Sequence, residues 1–194
     1  MSFSVDVDLD DPENSKGDNP DIMFSFKGER WAIACKALHV NKEKTLYDTL
    51  EKGTEQINRS AAAKGIVMVN LKNIIDRDEL WPILNPAEYA AGSEPLFGCF
   101  DSLAQPLGKL QNYGVDLQKR LVDTIELDNL LKLNNSGKTP PAFLIFLHAM
   151  TGLLHGDHCV PAILKIFNLV SFAEIPQEFV DLADILNEAM HFKI

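Results

Sequence analysis

The sequence predicts an α/β (α+β) fold with a central mixed sheet and flanking helices. Three observations carry that expectation. The first 75 residues read as strand, hairpin, helix and buried strand, and a helix that crosses over to a buried strand requires a sheet beside it. The middle of the chain is helical. The last third reads as a long hairpin followed by one amphipathic helix.

The elements follow in order. Residues 2–10 alternate, with Phe3, Val5, Val7 and Leu9 on one side and Ser2, Ser4, Asp6, Asp8 and Asp10 on the other. That period of two fits a half-buried strand, and an acidic disordered tail fits the same residues. Residues 11–20 form a turn-rich connector. Residues 22–27 and 30–38 read as strands, joined by a tight link at Lys27-Gly28-Glu29-Arg30. A helix over about 43–63 aligns Leu46, Leu50, Ile57 and Ala61 toward the core, with Gly65 as its C-terminal stop. Residues 66–71, IVMVNL, are apolar nearly throughout, as in a strand buried on both faces.

Residues 76–138 read as a helical insertion. Short helices and loops fill 76–101. A long helix over 103–133, bent near Gly114, carries Leu103, Leu107, Leu110, Leu117, Leu121 and Leu131, a stripe suited to core packing and also to homodimer formation. Asn134–Pro141 is a linker. Residues 142–154 and 159–172 form two strands joined at His155-Gly156-Asp157-His158. Pro176 opens a last helix with Phe179, Leu182, Ala183, Leu186 and Met190 inward. The 194 residues are expected to form one domain, with a core at 1–75, the insertion at 76–138, and 139–194 completing the sheet.

Composition narrows the function classes. The formal net charge is −10 at pH 7, which disfavours a nucleic-acid binder when taken whole. The charge is unevenly placed. Residues 1–21 hold seven acids and one base, residues 22–75 nine bases and five acids, and residues 76–194 eight bases and sixteen acids. An anionic ligand is therefore expected at the one basic segment, and a basic protein partner at the acidic remainder. Cys35, Cys99 and Cys159 are too few and too separated for a disulfide framework. With a start that lacks a basic signal-peptide region and no membrane-length apolar run, they predict a cytoplasmic protein.

The informative constellation is Pro20-Asp21, then Ala34-Cys35-Lys36, then a helix with Gln56 and the strand at 66–71. Antiparallel pairing around residues 27–30 predicts Asp21 opposite Lys36, a carboxylate beside an ammonium at one end of the hairpin. A carboxylate of this kind holds Mg²⁺, and the lysine orients water or stabilises developing charge in phosphodiester hydrolysis. Lys52, Gln56 and Arg59 share a helix stripe suited to phosphate oxygens.

This order of residues resembles the PD-(D/E)XK nuclease superfamily, whose fold is restriction-endonuclease-like, over residues 20–71. The resemblance implies a catalytic set of Asp21, Lys36 and Gln56 and metal-dependent action on nucleic acid. It departs where the second acid of the pattern falls on Ala34. Candidates to replace that acid are Asp48, Glu51 and Glu55, with the Cys35 backbone carbonyl as a further metal ligand beside Asp21. The alternative is an inactive relative that serves as a protein-interaction, accessory or immunity-type module. The superfamily also opens with a helix that the first 20 residues leave no room for, and the C-terminal helix near 177–191 is a candidate to replace it.

Other groups are weaker. His148, His155, Asp157, His158 and Cys159 are metal-ligand types, yet Gly156-Asp157 fits a plain turn and adjacent strand residues face opposite ways. Cys35 as a nucleophile requires His39 beside it, and a buried structural thiol fits better. The sequence contains no GxGxxG, Walker A or GxSxG motif.

Overall fold

A computed structural model describes residues 7–9, 19–76, 100–133, 136–155 and 158–191, without the side chains of 100–107, 149–164 and 190–191. The elements are β1 (Val7–Leu9), β2 (Ile22–Phe26), β3 (Glu29–Ala37), α1 (Glu43–Arg59), β4 (Lys64–Asn70), α2 (Phe100–Thr124), α3 (Leu127–Lys132), β5 (Ala142–His155), β6 (His158–Ser171) and α4 (Gln177–His191). The strands form one mixed sheet in the order β1-β2-β3-β4-β5-β6. β3, β4 and β5 run parallel, and the other neighbours pair antiparallel. The α+β class with a central mixed sheet is the one expected. Among the described residues no helix is long and apolar enough to cross a membrane.

Two apolar layers sandwich this sheet. Ala32, Ala34, Val67, Val69 and Ile145 pack with Leu46, Leu50 and Ile57 of α1, with Leu117 and Leu121 of α2 and with Leu130 of α3. On the other face Phe24, Trp31, Ile33, Ile66 and Leu144 pack with Phe179, Leu182 and Ala183 of α4. Alternation along β3 delivers odd positions to one layer and even positions to the other. Trp31 is fully buried, with the Phe179 ring 4.9 Å away at 62°.

The β2–β3 hairpin differs in register from the expectation. Its loop is Lys27-Gly28 alone, and Phe26 pairs with Glu29. Both loop residues have positive φ, 50° and 80°. That conformation, left-handed at both centres, matches the twist of the flanking strands. Extension of this register sets Asp21 opposite Ala34, two residues from the expected Lys36.

Helix α1 ends earlier than expected, at Arg59. The Ser60 hydroxyl donates to Ile57 O (2.8 Å) and accepts from Ala62 N–H (3.2 Å), a local turn that competes with another helical bond. Lys138 Nζ donates to Asn58 O (3.2 Å) and Ser60 O (3.0 Å) and satisfies end carbonyls of the helix. Ala61 is consequently exposed, and Ala62 enters the core in its place. Gly65 is no helix stop but a residue of β4. A Cβ there would meet Ala32 O and Ile57 Cγ2, each at 2.7 Å. Its lack of a side chain lets α1 close onto the β3–β4 pair.

Further differences concern the termini and the insertion. β1 is three residues long, with Val7 56% and Leu9 69% exposed, so the segment is an edge strand without a buried face. The long helix runs through Gly114 and is interrupted at Ile125-Glu126, before α3. Leu110, Leu117 and Leu121 face the core, and Leu131 is 37% exposed. The reading of 76–101 falls on 77–99, outside the described residues.

Two glycine substitutions are expected to act in opposite directions. Gly65→Ala is expected to lower unfolding free energy by about 1–3 kcal/mol, because its close neighbours include a backbone oxygen. Gly108→Ala, in α2 with nothing within 4 Å, is expected to raise it by about 0.5–1 kcal/mol. Urea denaturation of the two variants checks both signs.

Candidate functional site

The site lies at the C-terminal end of β3. Asp21 precedes β2, and its Oδ2 accepts a hydrogen bond from the Cys35 backbone N–H at 2.6 Å. The two-residue slip in register preserves parity, so Asp21 still shares a sheet face with Lys36, now as a diagonal neighbour. Lys36 Nζ lies 4.0 Å from Asp21 Oδ2 and donates to Gln56 Oε1. The expected carboxylate–ammonium pair and the helix amide thus meet.

Their surroundings differ. Gln56 is only 8% exposed, a buried helix residue rather than a solvated one. A buried amide carbonyl left unpaired costs about 1–3 kcal/mol, and its bond to Lys36 avoids that cost. The Lys36 side chain is 20% exposed and that of Asp21 46%. Beside them is an open cleft of about 320 Å³, lined by Lys36, Ala37, Thr49, Lys52, Glu55, Gln56 and Arg59. The expected phosphate stripe of Lys52, Gln56 and Arg59 therefore shares one concavity with Lys36. Of the two lining residues that the sequence reading missed, Ala37 and Thr49, the polar one is Thr49. Its position, three before Lys52 and seven before Gln56, is the helical signal that points to it.

The acids are less favourably placed. Ala34, where the second carboxylate of the pattern would stand, is fully buried in the apolar layer against α1. Of the candidate substitutes, Glu55 lines the cleft but pairs with Arg59 at 3.4 Å, and Asp48 pairs with Lys44 at 3.1 Å. Among the described residues no group of three or more His, Cys, Asp or Glu side chains is placed to hold a metal ion. Asp21 is one carboxylate with an oxygen already committed to Cys35 N–H and Lys36. Among the described residues no two-carboxylate Mg²⁺ site is complete.

Cys35 presents its backbone to this site and its side chain to the opposite layer, against α4. Burial, and secondarily the negative charge of Asp21, push the thiol up from 9.0 to about 11, against the lowering effect of Lys36. A thiol held protonated is a poor nucleophile. His39 is turned to Asn73, with Nδ1 3.2 Å from its side-chain amide. The candidate metal ligands at the β5–β6 turn, His155, Asp157, His158 and Cys159, lie where side chains are outside the described residues.

Comparison with protein-family models, with curated proteins and with solved structures finds no match. The site is therefore read from its own geometry: a cleft lined by Lys36, Lys52 and Arg59, with the Lys36 ammonium held between an amide and a carboxylate.

In a Cys99→Ser/Cys159→Ser background, iodoacetamide is expected to label Cys35 in the folded protein about a hundredfold more slowly than a free thiol at neutral pH. Asp21→Asn is expected to speed labelling, since it removes a charge that raises the thiol. The raised value favours the folded state fully below pH 9.0, and this contribution is lost as pH rises toward about 11. A fall in thermal stability across that window that is smaller in Cys35→Ala checks the sign, since the raised Tyr47, Tyr113 and Lys64 add falls of the same direction.

Proposed function

We propose that this chain is a divergent PD-(D/E)XK nuclease-like protein whose cleft binds the phosphodiester backbone of a nucleic acid. The observation that carries this reading is the position of Lys36, bonded to Gln56, 4.0 Å from Asp21 and lining one cleft with Lys52 and Arg59. Lysine and arginine at a shared concavity supply the charge-assisted donors that phosphate oxygens take. The order of elements supports the same reading: an aspartate before β2, a lysine near the end of β3, a glutamine on the crossover helix and a buried β4 parallel to β3.

Mg²⁺-dependent hydrolysis is what the resemblance alone implies. The burial of Ala34 favours backbone binding without it. A carboxylate at that position would lie in the apolar layer, and one carboxylate binds a dication far more weakly than two. A second reading, a nuclease-fold relative that engages a basic protein partner, draws on the same burial of Ala34 and on the sixteen acids of residues 76–194.

Fluorescence anisotropy of labelled single- and double-stranded oligonucleotides tests the proposal. Binding is expected at low salt and is expected to weaken steeply as salt rises. Lys52→Ala and Arg59→Ala are each expected to weaken it across sequences and to reduce the salt slope by about 1. No binding at low salt, or affinities unchanged in both variants, sinks it and leaves the protein-partner reading. Thermal unfolding in millimolar Mg²⁺ or Mn²⁺ separates binding from hydrolysis. The expected result is no rise in melting temperature for wild type and no strand cleavage. A rise in wild type that Asp21→Ala abolishes would establish a metal site and replace binding by hydrolysis.

A further inference from the structure

A fourth cation shares the sheet face of the cleft. Arg30, Ala32, Ala34 and Lys36 take alternate positions of β3 and so lie on one face. Ala32 and Ala34 are sealed under α1, and the two cations emerge at either end of that cover. Six residues of extended strand separate them by about 20 Å. Helix α1 is the wall between them. Lys52 and Arg59 line the cleft from that helix, and Ala63, just beyond its end, donates its N–H to Arg30 O at 2.8 Å. Arg30 therefore continues the row of Lys36, Lys52 and Arg59 past the last turn of the helix. The floor beside it is β2, where Ser25 is exposed and pairs with Arg30.

The Arg30 guanidinium already holds a carboxylate. Asp8 of β1 pairs with Met23 of β2, and Met23 pairs with Ala32 of β3, so Asp8 lies on the same sheet face as Arg30. Arg30 Nη2 donates to Asp8 Oδ2 at 3.2 Å. The contact is lightly held. β1 has three residue pairs with β2, its apolar side chains are exposed, and the Asp8 side chain is 73% exposed. An ion pair open to water in this way adds little net stability. A carboxylate offers a guanidinium two anionic oxygens, as a phosphate does, and either can replace the other. Acidic residues on a short edge strand also guard against unwanted strand pairing, but that protection asks only for charge facing water. Asp8 instead commits its charge to the cation that extends the cleft.

We propose that Arg30 is a further phosphate contact of the nucleic-acid track and that the Asp8 carboxylate occupies that phosphate position in the unbound chain, so that nucleic acid displaces Asp8 to reach it. The inference rests on the reading of the cleft as a phosphodiester site. The span from Lys36 to Arg30 holds several consecutive phosphates of one strand. A strand that follows the row of cations therefore meets Asp8 at its far end, where two anions compete for one guanidinium. The competition lowers affinity below what the four cations would give alone. It acts through Arg30, and this separates it from the general repulsion that the acids of residues 1–21 exert on any anion.

Anisotropy of a labelled single-stranded oligonucleotide with four full-length chains tests the inference: wild type, Asp8→Asn, Arg30→Ala and the double variant. Asp8→Asn is expected to tighten binding about threefold or more at low salt and to steepen the salt slope by about 1, as Arg30 gains a phosphate. In the Arg30→Ala background the same substitution is expected to leave affinity and slope nearly unchanged. Removal of a charge that acts only at a distance would tighten binding equally in both backgrounds. Equal tightening, or none, overturns the inference and leaves the cleft reading in place. Binding by none of the four chains overturns both. Circular dichroism and thermal unfolding confirm that all four are folded alike, so that a difference in affinity is not a difference in folding.

Discussion

The parallel pairing of β3 with β4, seven register pairs from Trp31/Lys64 to Ala37/Asn70, is the constraint on which the rest of the structure depends. Parallel neighbours need a crossover, and here α1 supplies it. Both strands are covered on both faces, so each must be nearly apolar and each must be approached closely by a helix. Gly53 and Gly65 permit that approach. A Cβ on Gly53 would meet Val67 Cγ1 at 2.7 Å, and one on Gly65 would meet Ala32 O at the same distance. Small residues on strand and helix thus set how near α1 lies, and with it how near Gln56 comes to β3.

The polar site is a consequence of where that apolar pairing stops. Ala32 and Ala34 lie under α1, and Lys36, the next residue on that face, reaches the rim. A lysine with its stem against the helix and its ammonium at the cleft needs acceptors, and Gln56 and Asp21 stand within reach. The same geometry explains why Ala34 tolerates no carboxylate without a partner. It stands one step deeper, where a charge has neither water nor a cation.

Much of this was legible in the residues. The strand–hairpin–helix–strand order, the β5–β6 hairpin and the final helix all follow from local periodicity and turn chemistry. Asp21, Lys36, Gln56, Lys52 and Arg59 could be grouped because each sits at a countable distance along a strand or a helix face. Less legible were features that depend on atoms distant in sequence. The end of α1 is set by Ser60 but also by Lys138, which lies 78 residues further on. Gly65 reads locally as a helix stop, and its actual role becomes visible only once Ala32 and Ile57 are placed against it.

The sequence by itself determined which face of each element is apolar, because that information repeats every two residues in a strand and about every 3.6 in a helix. It also determined that Asp21 and Lys36 share a face, which survives a slip of two residues since parity is unchanged. Only the tertiary structure decided the register and the burial of Gln56 and Ala34. Those depend on the left-handed conformation of Lys27 and Gly28 and on the depth to which α1 seats over β3 and β4. No local pattern encodes them, because each is settled by a contact between segments whose separation in the chain carries no periodic signal.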